Sequence, residues 1–132
     1  MNQHLAHIAI LVDDYDRAIE FYTKKLGFKL IEDTKLSQTK RWVLVKPQNQ
    51  NMNTCAILLA QASTPHQQNH IGNQSGGRVF LFLHTDDLNR DYENLLKNNI
   101  EIIRLPSHET HGKVLVFKDI YGNLWDLIQP NI

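Results

Sequence analysis

The sequence repeats its own pattern of polar and apolar residues at an offset of 73 positions. A helix-capping pair, Asp13-Asp14, recurs as Asp86-Asp87, and each pair is followed by apolar residues at helical spacing. An apolar strand-like run precedes each pair, and three further strand-like runs follow each helix. Each half is therefore predicted to fold into elements in the order strand-helix-strand-strand-strand. Repeated units of this kind bury their apolar faces only by pairing.

The repeat divides the chain into two modules, 1–62 and 77–132. The first helix is predicted to begin after Asp14 and to end at Gly27, and the second begins at Leu88. The strands are predicted at 8–12, 28–33, 41–46 and 54–61 in the first module, and at 81–85, 100–105, 113–118 and 124–129 in the second. Residues 63–76 are polar and lack periodicity, so they predict a linker.

Two histidines in this linker, His66 and His70, lie four residues apart. That spacing suits a metal ion if the segment is helical. Pro65 and the polar residues around it argue against a helix, so the sequence favours solvated loop histidines.

Composition limits the classes of function. The chain has 132 residues with 14 acidic and 14 basic side chains, and no basic stripe indicates a nucleic acid or an anionic membrane surface as partner. No apolar run reaches membrane-spanning length, and the first residues do not resemble a signal peptide. The single cysteine, Cys55, cannot form an internal disulfide, which fits a reducing compartment. We therefore expect a soluble cytoplasmic protein.

Three stretches of the chain resemble the vicinal oxygen chelate superfamily, also called the glyoxalase/bleomycin-resistance/dioxygenase fold: HIAILVDDYDRAIEFYTKKLGF, FLFLHTDDL and VFKDIYGNLWDLIQP. The resemblance implies an α+β fold of two βαβββ modules, which form half-barrels and pair around a cleft. In that cleft, members of the superfamily hold a divalent metal and a small molecule. Small members usually pair modules between chains, which implies a homodimer with His7 of one chain near Asp126 of the other.

The resemblance also implies metal ligands, which this sequence matches only in part. His7 corresponds to the histidine on the first strand of metal-dependent members, and Asp126 stands where they usually carry Glu on the eighth. Phe80 replaces the histidine of the fifth strand, and its ring cannot coordinate an ion. Catalytic sites typically use three protein ligands. The sequence therefore predicts either a weakly bound divalent ion (Zn²⁺, Ni²⁺, Mn²⁺ or iron) or no metal.

Further candidate site residues share one face of the second module's first strand: Arg78, Phe80, Phe82 and His84. The opposite face is entirely apolar and is expected to cover the helix, so the mixed face should line the cleft. The two rings could stack on a flat ligand, and Arg78 could meet an anionic group. His84 could bind substrate, or it could be a strand-end histidine in water.

The third strand and the segment before the seventh add three more candidates. Arg41 and Trp42 lie on opposite faces of the third strand, so one of them faces the pocket or a partner subunit. Glu109 lies between His108 and His111 in sequence. It could act as an acid or a base at the rim of the cleft, or it could belong to a solvated loop, which the sequence favours.

Three functions remain open at this point. One is a glyoxalase-like lyase or isomerase with an incomplete metal site, acting on an unknown small molecule, with His84 and Glu109 as candidate catalytic groups. Another is a non-catalytic small-molecule-binding protein of the bleomycin-resistance type. A third is a metal enzyme that borrows a ligand from His84, from the linker histidines or from the other subunit. The acidic excess expected for capturing a strongly cationic drug is missing. The enzyme is narrowly favoured, because members of the superfamily are mostly enzymes.

Overall fold

The structure, a computed structural model, describes residues 1–50 and 54–131. The chain divides into two compact units, Met1–Ile71 and Gly72–Ile132, and each unit contains one four-stranded sheet with a helix packed against it. The βαβββ order predicted for each half from the repeat is confirmed. Within the described residues, no helix is long and apolar enough to cross a membrane.

The first unit contains β1 (His7–Val12), α1 (Tyr15–Glu20), β2 (Lys29–Lys35), β3 (Arg41–Lys46), β4 (Ala56–Gln61) and α2 (Pro65–Asn69). Its sheet has the order β1-β4-β3-β2, in which β1 is parallel to β4 and the other pairs are antiparallel. Asp14 caps α1 by accepting a hydrogen bond from the backbone N–H of Arg17. The helix continues as a π-helical turn over Phe21–Lys25, and Gly27, with φ of 85°, ends it.

The core of the first unit lies between α1 and one face of its sheet. Along β1 the alternate residues Ile10 and Val12 are fully buried, whereas His7 and Ala9 on the other face are exposed. The neighbouring strands add buried residues to the helix-covered face: Val43, Val45, Ile57 and Leu59. The first sheet therefore has a helix-covered face and an opposite face, which we call its open face.

The second unit contains β5 (Val79–His84), α3 (Leu88–Lys97), β6 (Ile102–Glu109), β7 (Gly112–Lys118) and β8 (Leu124–Pro130). Its sheet repeats the topology of the first, with the order β5-β8-β7-β6 and β5 parallel to β8. Asp87 caps α3 by accepting from the backbone N–H of Arg90. The buried rings of Phe117 and Trp125 stack with centroids 5.9 Å apart. The face of this sheet opposite α3 is its open face, and it carries Phe82, His84 and Asp126.

The structure corrects three predictions made from the sequence. Residues 65–69 form helix α2 rather than a loop, because Pro65 occupies the first helical position, where its missing N–H costs no hydrogen bond. Strand β6 does not end at residue 105 and Glu109 is not in a loop, because Glu109 pairs with Gly112 in the β6–β7 hairpin. Strand β5 is not regular, since a shift of register at Phe80 makes that residue the extra one of a bulge.

Candidate functional site

The open face of the first sheet carries an aromatic pair, His7 and Trp42. Their ring centroids lie 6.0 Å apart at an interplanar angle of 76°, an edge-to-face contact. The imidazole is exposed and the indole is half-buried. The residue that pairs with His7 on the adjacent strand is Ala56, which offers no side-chain donor. The His7 ring thus lies against another ring, and its sheet neighbour supplies no metal ligand.

Arg41, next to Trp42 in sequence, lies instead with side chains on the helix-covered side. Its guanidinium group donates two hydrogen bonds to Asp33, at 3.1 and 2.7 Å, and one to Asp16 at 3.0 Å. It also stands over the ring of Tyr15, 5.1 Å from the centroid. The hydrogen bond to Asp33 raises the pKa of Arg41 above its ordinary value. The positive charge of Arg41 is therefore paired with groups of the first unit.

The open face of the second sheet brings Phe82 and Asp126 side by side. The two are register partners on the parallel strands β5 and β8, so their side chains share one face. Phe82 is 65% exposed. Asp126 is half-buried, and its Oδ1 atom is buried without a hydrogen-bond partner among the described residues. An exposed ring therefore adjoins a carboxyl oxygen whose hydrogen-bonding capacity is unused.

The electrostatic setting of Asp126 combines burial with two nearby cationic groups. Burial raises the pKa of Asp126 above its ordinary value, and the charges of His111 and Arg104 oppose that rise. Arg104 reaches this row of the sheet through the register, since it pairs with Val116, which in turn pairs with Asp126. Sequence reasoning missed Arg104, because the bulges in β6 conceal that register, and it considered His111 only as a sequence neighbour of Glu109.

The remaining candidates are distributed over the second unit. His84 ends β5 two residues beyond Phe82, so it shares the open face, and it is exposed. Phe80 is half-buried at the bulge, and Arg78 is exposed just before β5. Glu109 is exposed at the end of β6, where its carboxylate accepts a hydrogen bond of 3.1 Å from the Ser107 hydroxyl. The sheet thus groups Phe82, His84 and Asp126 on one face.

Comparison with known proteins identifies the family of this chain. The model of the Glyoxalase/Bleomycin resistance protein/Dioxygenase superfamily matches residues 4–127. The chain belongs to this superfamily. An uncharacterized protein of Shewanella frigidimarina (strain NCIMB 400) is 54% identical over 132 residues, 99% of this chain and 96% of that protein. The uncharacterized protein YurT of Bacillus subtilis (strain 168) is 29% identical over 92% of this chain and 94% of its own length.

Solved structures of similar proteins have the same architecture as this chain. The crystal structure of UcmS2 matches with a TM-score of 0.82 and 28% identity, over 97% of this chain and 98% of that one. The crystal structure of TnmS3, described as an antibiotic binding protein from Streptomyces sp. CB03234, matches with a TM-score of 0.77 and 25% identity, over 98% of each chain.

Members of the glyoxalase/bleomycin-resistance superfamily often bind a divalent metal, which the donor set described here does not fit. Within residues 1–50 and 54–131, no group of three or more His, Cys, Asp or Glu side chains is placed to hold an ion. His7 lies against Trp42, and Asp126 lies beside Phe82. Structural and catalytic metal sites generally use four or three protein ligands. Neither His7 nor Asp126 therefore belongs to a group of three potential ligands within the described residues of one chain.

Proposed function

We propose that this superfamily member binds, without converting it, a planar aromatic small molecule that carries a hydrogen-bond donor. The observation that carries the proposal is the pairing of Phe82 with Asp126 on the open face of the second sheet. The exposed ring offers a surface on which a flat ligand can stack. The Oδ1 atom of Asp126 offers a buried acceptor, and an unmet buried polar group costs about 1–3 kcal/mol. A ligand donor reaches this oxygen once the half-buried Asp126 side chain turns toward it, and the hydrogen bond then adds both affinity and orientation.

The charges around Asp126 narrow the class of ligand. Arg104 places a positive charge near this carboxyl, and the whole chain has a formal net charge of zero with its histidines neutral. A strongly cationic compound would meet this charge without an acidic excess to attract it. A neutral aromatic compound with phenolic hydroxyl groups suits the site better, because a hydroxyl donates to the carboxyl and the ring system stacks on Phe82.

The first sheet supports the same class of ligand. The edge-to-face pair of His7 and Trp42 gives its open face an aromatic platform, and the half-buried Leu58 and Ala60 on β4 add apolar surface. Binding sites for small molecules are mostly apolar and aromatic, with a few polar groups that fix orientation. Trp42 also provides a fluorescent reporter of binding at this face.

Two further considerations favour binding over a glyoxalase-like lyase or isomerase. The relative TnmS3 is described as an antibiotic binding protein. The candidate catalytic carboxylate, Glu109, is exposed and bonded to Ser107, which leaves it without the environment that tunes a general acid or base. We propose that the protein acts in the cytoplasm, because its single cysteine, Cys55, is free and suits a reducing compartment.

The experiment that tests the proposal compares a probe that has hydroxyl donors with one in which both hydroxyl groups are methylated. These are 2,6-dihydroxynaphthalene and its dimethyl ether, titrated against the protein while tryptophan fluorescence is followed. We expect the dihydroxy compound to bind at least about tenfold more tightly, because one hydrogen bond to a buried carboxyl is worth about 1.5–3 kcal/mol. The compound should be recovered unchanged by mass spectrometry.

Three variants separate the contributions to binding. Asp126→Ala should remove the preference for the dihydroxy probe, whereas Phe82→Ala should weaken both probes. Leu96→Ala, an apolar truncation at an exposed position of α3, should change neither affinity. Equal binding of the two probes to the parent protein would contradict the role of Asp126. Conversion of the bound compound would contradict a non-catalytic function.

A further inference from the structure

We propose that His66 and His70 form a surface site for a transition-metal ion of the Cu²⁺, Ni²⁺ or Zn²⁺ class. His66 lies in α2 and His70 is the residue that caps its C-terminal end. Side chains four residues apart stand on the same face of a helix. The two imidazole rings are exposed, and their centroids lie 4.6 Å apart. This site is independent of the ligand proposed for the sheets.

The hydrogen bonding of His70 already resembles that of a metal ligand. Its Nδ1 atom lies 2.8 Å from the backbone carbonyl oxygen of His66. A carbonyl oxygen only accepts hydrogen bonds, so Nδ1 must carry the proton and donate. In the neutral ring this leaves the lone pair on Nε2. Histidines that bind metals commonly donate their other N–H to a backbone carbonyl, which fixes the tautomer and the orientation of the ring.

The distance between the rings suits one shared ion. A zinc–imidazole bond is about 2.0–2.1 Å long, so two nitrogens on one tetrahedral ion lie about 3.4 Å apart. Rings whose centroids are 4.6 Å apart can bring a nitrogen from each to that distance by rotation about side-chain bonds alone. No change in the backbone of α2 is required.

The start of α2 is also well fixed, which limits the cost of ordering the two side chains. Thr64 caps the helix by accepting from the Gln67 N–H at 3.1 Å, and the Gln67 side-chain oxygen accepts from the Ser63 N–H at 2.8 Å. Pro65 supplies the helical φ at the first position. The helix lies against β1. The backbone that carries the two imidazoles is therefore held in place before an ion binds.

The number of ligands defines the kind of site. In the part of the chain that the structure describes, no third His, Cys, Asp or Glu joins the pair. The other coordination positions therefore go to water or to a donor on another molecule, and the ion exchanges readily, unlike a structural zinc with four protein ligands. For imidazole nitrogens the order of affinities should place Cu²⁺ above Ni²⁺ and Zn²⁺.

The test is calorimetric titration of Ni²⁺ into tag-free protein from which metals have been removed with EDTA. We expect one ion per chain with a Kd tighter than about 100 μM. His66→Ala and His70→Ala should each weaken binding at least about tenfold. His84→Ala, which removes an exposed histidine of the second unit, should leave the Kd unchanged. Thermal melts of each variant check that it is folded.

A double variant tests the geometry while preserving the number of histidines. Gln68→His combined with His70→Ala places the two imidazoles two residues apart, and such side chains do not face each other on a helix. We expect it to bind Ni²⁺ as weakly as His70→Ala. Full affinity in this double variant would overturn the proposal, as would unchanged binding by His70→Ala or a parent Kd weaker than about 1 mM.

Discussion

At the scale of single residues, the burial of Asp126 has a consequence for stability. Burial raises the pKa of this carboxyl above its ordinary value of 3.8, so the folded chain holds its proton more tightly than the unfolded chain. The stabilisation linked to this proton is fully present below about pH 3.8 and is lost as the pH rises through the folded pKa. Asp126→Asn removes the titration. Relative to the parent, its free energy of unfolding should therefore rise between pH 4 and pH 7.

Urea unfolding of both proteins at several pH values measures this difference. Asp86→Asn is the matched control, because the Asp86 side chain is 87% exposed and pairs only at the surface with Arg90. We expect the control difference to show no comparable rise with pH. A flat profile for Asp126→Asn as well would contradict the desolvation of this carboxyl.

Arg41 provides a second prediction at this scale. Its paired hydrogen bonds to Asp33 and its contact with Asp16 give a better geometry than an isolated surface pair, so Arg41→Ala should cost about 1 kcal/mol of stability. Arg41→Lys should recover only part of that loss, because an ammonium group cannot make the same paired contact.

The control for Arg41→Ala is Arg17→Ala, which removes the exposed ion pair between Arg17, on α1, and Asp13. We expect no measurable change in the urea midpoint for that variant. The affinity of Arg41→Ala for the naphthalene probe should equal that of the parent protein. A weakened affinity would show that Arg41 contacts ligand, as the sequence-based prediction has it.

Some of this residue-level picture could be predicted from sequence, and some could not. Strand alternation places Phe82 and His84 on one face, because side chains alternate locally along any strand. The effect of Arg104 on Asp126 depends on the pairing of three strands and on bulges in β6, which no local pattern encodes. The partner of Trp42 likewise depends on tertiary structure, since His7 lies on β1, two strands earlier in sequence.

At the scale of elements, the turn between β7 and β8 depends on one carboxylate. Asp119 is 3% exposed, and its Oδ1 accepts hydrogen bonds from the backbone N–H groups of Tyr121, Gly122 and Asn123 at 2.9–3.0 Å. Its Oδ2 accepts from the Asn123 side chain at 2.8 Å. Asp119→Ala removes the acceptor of these donors, of which the two on Asn123 are buried, and should destabilise the protein by about 3 kcal/mol.

Urea unfolding again provides the measurement, with Asp86→Ala as the control. That substitution removes an exposed carboxylate and should change stability by less than about 0.5 kcal/mol. If Asp119→Ala behaves like the control, the turn is held by the strands it joins rather than by its own hydrogen bonds.

The elements also show which features sequence patterns can identify. The turn at DIYGN has a local origin, because the hydrogen bonds of Asp119 are local and Gly122 adopts the positive φ, 105°, that a turn requires. The prediction from sequence missed helix α2 because it treated Pro65 as a helix breaker, although proline is favourable at the first helical position. The predicted end of β6 came too early, because Glu109 belongs to the strand only through its pairing across the hairpin, which a local pattern does not show.

At the scale of the whole molecule, removal of divalent ions tests the donor set. A tightly bound resident ion at 1,000 times its Kd stabilises a protein by about 4 kcal/mol. Since no three donors gather among the described residues, we expect EDTA to shift the Tm by less than about 2 °C. His70→Ala is the protein to use, so that the proposed surface site does not contribute.

A Phe80→His variant completes this test. The superfamily resemblance places a ligand histidine at position 80, so a Ni²⁺-dependent gain in Tm confined to this variant would show that a ligand set survives there without its third member. A fall of tens of degrees for the parent protein in EDTA would instead show a strong native site and would contradict the assignment of Phe80.

The fold as a whole could be predicted from sequence, because the 73-residue repeat and the end motifs both reflect local patterns. The two helix caps, Asp14 and Asp87, keep that offset in the structure. The offset is not kept at every strand, since β5, which carries the bulge at Phe80, begins 72 residues after the start of β1 (79 − 7 = 72). A ligand does not leave a comparable periodic signal, so its identity is inferred from single side chains such as Asp126.

The last prediction concerns the oligomeric state, for which we expect a homodimer. The strands leave large apolar side chains in water: Phe82 is 65% exposed and Leu105, on the edge strand β6, is 70% exposed. Exposed apolar groups on sheet faces and edges favour association. The formal net charge of zero provides no repulsion to oppose it. Sedimentation equilibrium at micromolar concentration should therefore give twice the chain mass of 15.3 kDa.

Two substitutions locate the surface that associates. Leu105→Lys places a charge on the edge of the second sheet and should weaken the dimer at least about tenfold, because an unpaired charge at an interface costs more than 1.4 kcal/mol. Leu96→Lys, at an exposed position of α3, should leave the association unchanged. A parent protein that sediments as a monomer at these concentrations would contradict the homodimer. A dimer insensitive to Leu105→Lys would instead place the contact on the open faces that carry His7 and Phe82.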